Sequence, residues 1–228
     1  LTGWNTSKVT SFHGMFLGCN VFNQSVDHFI MHPTSNVTCN SMFDGCSKFN
    51  QPITSWDFSR ITNTDSMFRS CREMNIPVNH WNVSNVTSMI QMFSGCTVFN
   101  QPMDTWNVGK VTNFSTFLNN AYAFNQPLNM WNVSACISMA FMFNGTKSFN
   151  QPLNTWNVSK VTSMECMFSN GAIFNQPINT WNVSACTSFY AMFVNNKVFN
   201  QDLNNWNTSA ATKMNYMFAF ATAFNGNI

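Results

Sequence analysis

The sequence predicts a repeat solenoid, with one short parallel β-strand per 25-residue turn, joined by loops and short helical turns. Two observations carry this. Trp56, Trp81, Trp106, Trp131, Trp156, Trp181 and Trp206 follow one another at a constant step of 25 without a slip. Phe-Asn pairs at Phe49, Phe99, Phe124, Phe149, Phe174, Phe199 and Phe224 keep the same step, with Met74-Asn75 filling the one gap. Together they predict a single array of about nine repeats over residues 1–228. The one irregular unit, within 22–48, has 27 residues, since Phe22-Asn23 lies 27 before Phe49-Asn50; Phe29 stands there in the Trp place.

Within one unit the apolar positions are Leu153, Trp156, Val158, Val161, Met164, Met167, Phe168 and Phe174. The spacing Leu153, Trp156, Val158 matches the L-x-x-L-x-L strand of a leucine-rich repeat. A strand there turns Trp156 and Val158 inward and leaves Thr155, Asn157 and Ser159 alternating outward. Val161 to Phe168 steps by three and four, which suits a helical turn or an irregular wrap. Asn175-Gln176-Pro177 closes the unit, because Pro ends any helix and sets a corner. One turn cannot bury its apolar side on its own, so stability must come from stacking like side chains on like. The seven Trp from Trp56 to Trp206 are then structural core, and the repeated Asn of Phe-Asn should form a ladder whose amides satisfy backbone groups at a buried corner. Leu1 and Ile228 occupy the same place in the repeat, and neither end has a polar cap. This predicts a segment of a longer chain, or ends that pack on something else.

Composition narrows the function. Only 8% of residues are charged, against about 25% in an average domain, and Asn takes up roughly one residue in six. A formal charge of +2 without Lys/Arg clusters gives no footprint for nucleic acid. No run approaches the roughly 18 apolar residues that argue for direct membrane insertion.

V-T-S-M-x-x-M-F-x-x-C, as at Val86 to Cys96, resembles the V-T-S-I-x-x-A-F-x-x-C core of BspA-like leucine-rich repeats. The longer F-N-Q-P-L-N-x-W-N-V-S-x-V-T-S-M-x-x-M-F is similar to the Trp/Met variety of that family, and the likeness covers the whole chain. This chain departs in carrying Asn where many relatives have Asp after the Trp, and in its few Lys. The resemblance implies a mycoplasma-type surface repeat protein. It also implies a cell-surface or extracellular place, with a virion as the alternative.

The candidate site is the outward stripe. Beside the Trp column run Asn82, Asn107, Asn132, Asn157 and Asn182, and next to them Ser84, Ser134, Ser159 and Ser184. The other flank varies more and includes His80 and Met130. Such an uncharged, amide- and hydroxyl-rich face either keeps the array soluble through side-chain ladders or recognises a protein or glycan partner. What varies along it would set specificity, which singles out His80 and Met130. The expected function is a non-enzymatic surface or scaffold module for recognition of the adhesion type. The alternative is a structural component of a large assembly, a virion or cell-surface layer, with neighbouring subunits as partners. An ice-binding face is disfavoured, because Asn dominates over a Thr-x-Thr rank.

Other features have plainer readings. Cys19, Cys46, Cys71 and Cys96 share one repeat position that later holds Ala121, Thr146, Gly171, Asn196 and Ala221. That is a small-residue core slot with free thiols, although stacked positions could also reach one or two disulfides. Eleven Asn-x-Ser/Thr sequons mostly come from W-N-[VT]-S and belong to the repeat rather than to glycosylation. Asp27, His28, His32 and Cys39 include a His-x3-His spacing that can bind zinc on a helix, but Pro33 argues for a looped-out turn. No nucleophile elbow, P-loop or carboxylate pair stands out, so no catalytic residue, metal or cofactor is expected.

Overall fold

The computed structural model describes residues 3–171 and 173–228; the expected strand position of Leu1 lies outside them. Successive repeats stack as coils, and in the regular coils most backbone bonds between them join residues 24 or 25 apart. In the coil of Val161, Thr162 N–H donates back to Ile137 O at 2.8 Å, while Met164 N–H donates forward to Ser188 O at 3.0 Å. Cys166, Phe168 and Asn170 then donate forward to Tyr190, Met192 and Val194 at 2.8–2.9 Å.

This ladder corrects the sequence-based strand. The parallel pairing falls on the V-T-S segment, through bridges such as Ser138 to Ser163 and Ser163 to Ser188. Among the described residues only β1, Val37–Thr38, and β2, Ile61–Asn63, extend beyond single bridges, and they pair in parallel. Leu153 to Trp156 is instead a tight turn, closed by Trp156 N–H to Leu153 O at 3.1 Å, and Val158 to Val161 is a second, closed at 2.9 Å. The physical reason is that apolar side chains at this spacing can point inward from two consecutive turns as well as from a strand. The V-T-S segment, with its β-branched residues, takes the extended pairing.

The Met-Phe stretch is not helical but an irregular wrap. Each coil carries two left-handed residues four apart, such as Gln91 with Gly95, Thr116 with Asn120, and Cys166 with Asn170. They alternate with right-handed neighbours and close short turns, Met167 N–H to Met164 O and Ser169 N–H to Cys166 O. This geometry lets every second N–H point along the stack toward the next coil. The second left-handed position is mostly Gly or Asn, the residues that tolerate it best. The first holds almost anything, including the β-branched Thr116 at φ 58°.

Three aromatic columns fill the interior. Trp106 and Trp131 stack at 6.2 Å and 4°, and Trp156 and Trp181 at 6.4 Å and 4°. The Phe of Met-Phe stacks along Phe43, Phe68 and Phe93, and again along Phe143, Phe168, Phe193 and Phe218. The Phe of Phe-Asn runs from Phe99 through Phe124, Phe149 and Phe174 to Phe199 and Phe224. Trp56, Trp81, Trp106, Trp131, Trp156 and Trp181 are buried, Trp206 is half-buried, and Trp4 is exposed. Most indoles also cross-link coils: Trp131, Trp156 and Trp181 donate Nε1–H to Met103, Leu128 and Leu153 carbonyls of the preceding coil at 2.8–2.9 Å.

The irregular unit places its two extra residues between Met31 and Val37. There His32 Nδ1 accepts from the N–H groups of Thr34 and Ser35 at 3.3 and 3.0 Å, which closes the bend after Pro33. Among the described residues no helix is long and apolar enough to cross a membrane.

Candidate recognition surface

The Asn-Ser stripe lies at a turn rather than on a strand. In every regular coil the Asn carboxamide oxygen accepts the N–H two residues on: Asn82 from Ser84, Asn132 from Ser134 and Asn182 from Ser184 at 3.2 Å, Asn157 from Ser159 at 3.1 Å, and Asn107 from Gly109 at 3.2 Å. The Ser84 and Ser184 hydroxyls add a bond to the same oxygen at 2.7 and 2.8 Å. These Asx turns hold the corner and use the Asn oxygen locally. The Asn residues themselves are exposed, while Ser84, Ser134 and Ser159 are half-buried and Ser184 is exposed.

The flank column is tied to the preceding coil at most levels. Ser55 N–H donates to Asp27 at 2.8 Å, the Thr105 hydroxyl to Asn79 O at 2.7 Å, the Thr180 hydroxyl to Asn154 O at 3.2 Å, and Asn205 N–H to Asn179 at 2.9 Å. Partial burial would raise the Asp27 carboxyl, but bonds from Ser55 and Thr54 hold it below the usual carboxylate value. His80 and Met130 interrupt this run. His80 packs edge-on to Trp81 at 6.2 Å, and Met130 stands 76% exposed.

The Phe-Asn corner forms the expected ladder. Asn125 Oδ1 accepts Asn150 N–H at 3.1 Å and Gln151 Nε2 at 3.0 Å, and the pattern runs from Asn23 to Asn225. The corner is half-exposed rather than buried, because the side chains run along the outside of the coils.

A second, half-exposed face was not singled out by sequence. It is the ladder face, whose outward positions are the first x of V-T-S-M-x-x-M-F: His13, Asn40, Asp65, Ile90, Ser115, Glu165, Tyr190 and Asn215 among them. Asp65 accepts from the Ser88 hydroxyl at 2.6 Å and from Ile90 N–H at 2.8 Å. Glu165 accepts from the Ser188 hydroxyl at 2.7 Å, with Lys213 Nζ at 3.6 Å. The sequence signal was present, since this position changes chemistry from coil to coil inside an otherwise recurrent V-T-S-M-x-x-M-F frame. It was masked because attention to the apolar steps of the stretch, read as a helical turn or an irregular wrap, passed over the residues between them.

All eight cysteines are free thiols. Cys46, Cys71 and Cys96 donate Sγ–H to the carbonyls of Phe16, Phe43 and Phe68 at 3.0 Å, so the shared slot is a buried thiol column. Burial pushes the Cys46 and Cys136 thiols up to about 12. The residues of the zinc spacing are drawn apart. Cys39 is sealed in the core, Asp27 serves Ser55 and Thr54, and His32 closes its own loop. Among the described residues no three of His, Cys, Asp or Glu gather as metal ligands.

Among solved structures the chain is similar to one described as "Crystal structure of TLR13-ssRNA13 complex", at 10% identity and a TM-score of 0.30. That match covers 88% of this chain and 35% of the other, so the chain spans about a third of its length. The comparison with curated proteins gives no match. The model of one repeat family, described as "Mycoplasma protein of unknown function, DUF285", matches residues 1–106, 37–154 and 148–228. These three matches overlap and together span the repeats described above, so the chain belongs to that family.

Proposed function

We propose that the chain is a non-enzymatic recognition scaffold, a single leucine-rich-repeat-like solenoid of the BspA-like kind, working at a cell surface by binding a protein or glycan partner. The observation that carries this is the contrast between a constant backbone and changing side chains that are exposed or half-exposed. Coil after coil repeats the same turns, ladders and buried rings, while His80, Met130 and the ladder-face positions differ in charge, size and polarity. A rigid frame with variable exposed positions fits recognition, because the binding groups are ordered before the partner arrives. The Asn amide nitrogens of the stripe, at Asn82, Asn107, Asn132, Asn157 and Asn182, add a regular rank of outward donors. Among the described residues the polar side chains used in turns and ladders give no convergent acid, base or nucleophile, which supports binding over catalysis.

The test uses the purified chain against immobilised extracellular proteins and a glycan array. Binding that drops about tenfold or more in a His80→Asp/Met130→Asp double variant of unchanged melting temperature supports the stripe as the contact. Retention of full binding by that variant removes the stripe from the interface. Turnover of a substrate by the purified chain would overturn the non-enzymatic reading.

A further inference from the structure

We propose that the corner of the third to fifth coils is a binding site for an acidic saccharide, a reading that rests on the recognition-scaffold function. A groove of about 540 Å³ there is lined by Ser70, Arg72, Gly95, Thr97, Asn120 and Tyr122. Three consecutive coils supply two residues each, so no single repeat contains the site.

Its floor is rigid. Ser70, Gly95 and Asn120 are the second left-handed residues of their coils, with φ of 60°, 75° and 57°. Their N–H groups are each bonded to the next coil, to Ser94, Asn119 and Asn144 carbonyls at 2.7–2.8 Å. Gly95 keeps the middle open, since a Cβ there would sit 3.4 Å from Ser70 Cα and Oγ.

Its chemistry is donor-rich and cationic. Arg72 is exposed and lines one side; Thr97, whose hydroxyl donates to Arg72 O at 3.1 Å and can still accept, lies with the Ser70 hydroxyl and the Asn120 amide between it and Tyr122. No carboxylate lines the groove. Within these coils the corner carries Arg72 and one acid, Glu73, which is ion-paired with Lys48 of the preceding coil, and Lys147 of the following coil reaches Tyr122. An anionic group is therefore favoured, and a planar guanidinium suits a carboxylate or sulfate in two-pronged fashion.

The aromatic member points to a sugar ring. Tyr122 is 39% exposed, and Lys147 Nζ lies 4.5 Å from its ring centroid. That cation–π contact holds the ring in place while the ring also lines the groove. A flat aromatic surface beside hydroxyl and amide groups complements a pyranose, whose C–H face is apolar and whose rim is hydroxylated. A carboxylated or sulfated saccharide meets both demands at once.

The experiment titrates the full chain with 3′-sialyllactose, with a sulfated disaccharide and with neutral lactose, following Arg72 and Tyr122 environments by NMR and affinity by calorimetry. At least one acidic saccharide should bind, and lactose should bind about tenfold more weakly or not at all. Whichever acidic arm binds identifies carboxylate or sulfate as the anion. Arg72→Gln and Tyr122→Ala should each lose about tenfold. Gly95→Asn should fill the groove and abolish binding without unfolding the chain, because Asn already occupies that left-handed position at Asn120, Asn170 and Asn195. Equal binding of lactose, binding to neither acid, or full affinity in the Arg72, Tyr122 and Gly95 variants would overturn the site. Loss of partner binding in the His80/Met130 variant, with no saccharide effect at the groove, would sink this inference and leave the scaffold function standing.

Discussion

Phe58 lies flat on Trp81, with ring centroids 4.1 Å apart and planes within 9°, and Trp81 Nε1 is a buried donor without a hydrogen-bond partner. Phe58 occupies the position where later coils have Val83, Val108 and Val133. At other levels the indole reaches the preceding coil, as Trp106 does to Val78 O at 2.9 Å. The larger ring thus accompanies the one buried indole in the Trp column whose nitrogen is unsatisfied among the described residues. Trp81→Phe should therefore cost about 1 kcal/mol less than Trp106→Phe, because only the second loses a hydrogen bond. Phe29 already fills the same column in the irregular unit. Chemical denaturation of both variants checks the difference, and equal losses would refute it.

The Asn ladder should be uneven in strength. Asn125 accepts from both Asn150 N–H and Gln151, whereas Asn50 accepts from Asn75 N–H, with Ile76 standing in the Gln position. Asn125→Ala leaves a half-buried N–H without its acceptor, while Gln151 Nε2 keeps its bond to Asn125 O at 3.1 Å, a loss of about 1–3 kcal/mol. Asn50→Ala, at a more exposed rung, should cost less than about 1 kcal/mol because water replaces the lost oxygen. Asn125→Asp keeps an acceptor in place and should retain most of the stability. Urea midpoints of the three variants order them.

Thr116 holds a left-handed conformation at φ 58° with a β-branched side chain. Strain of that kind is worth about 1–2 kcal/mol, and Asn tolerates the same backbone far better. Thr116→Asn should raise stability by about 0.5–1 kcal/mol, the strain relieved less the Thr hydroxyl bond to Ser115 O. A fall in the melting temperature would show that the strain is absorbed elsewhere.

The buried thiols set an alkaline limit. Burial raises Cys46 and Cys136 to about 12 and Cys186 to about 11, from an ordinary value of 9.0. Each folded thiol binds its proton more tightly than the unfolded one. Their contribution is fully present below about pH 9 and is lost as pH rises through the folded values. Stability should thus fall between about pH 9 and 12, and Cys46→Ala/Cys136→Ala/Cys186→Ala should flatten that slope. At neutral pH a thiol reagent should label the exposed Cys19 quickly and the buried thiols only on unfolding. Rapid labelling of Cys96 in the native chain would contradict the buried column.

The sequence by itself determined the stack and its contents. A 25-residue period puts like residues above one another, and an apolar strip too small to bury alone must then pack on its copies. The Trp and Phe columns, the small-residue thiol slot and the Asn ladder all follow from that one fact. Tertiary structure decided where the backbone pairs and which polar groups are used. The spacing of Leu153, Trp156 and Val158 is satisfied equally by a strand and by two inward-facing turns. The choice depends on hydrogen-bond partners 24 or 25 residues away, which local pattern does not encode. The same holds for the outward Asn of the stripe, whose oxygens close Asx turns, and for the ladder face, whose variable residues lie half-exposed just before the left-handed residues of the wrap. The Arg72–Tyr122 groove exists only between coils, from residues 50 apart, so no single repeat could display it.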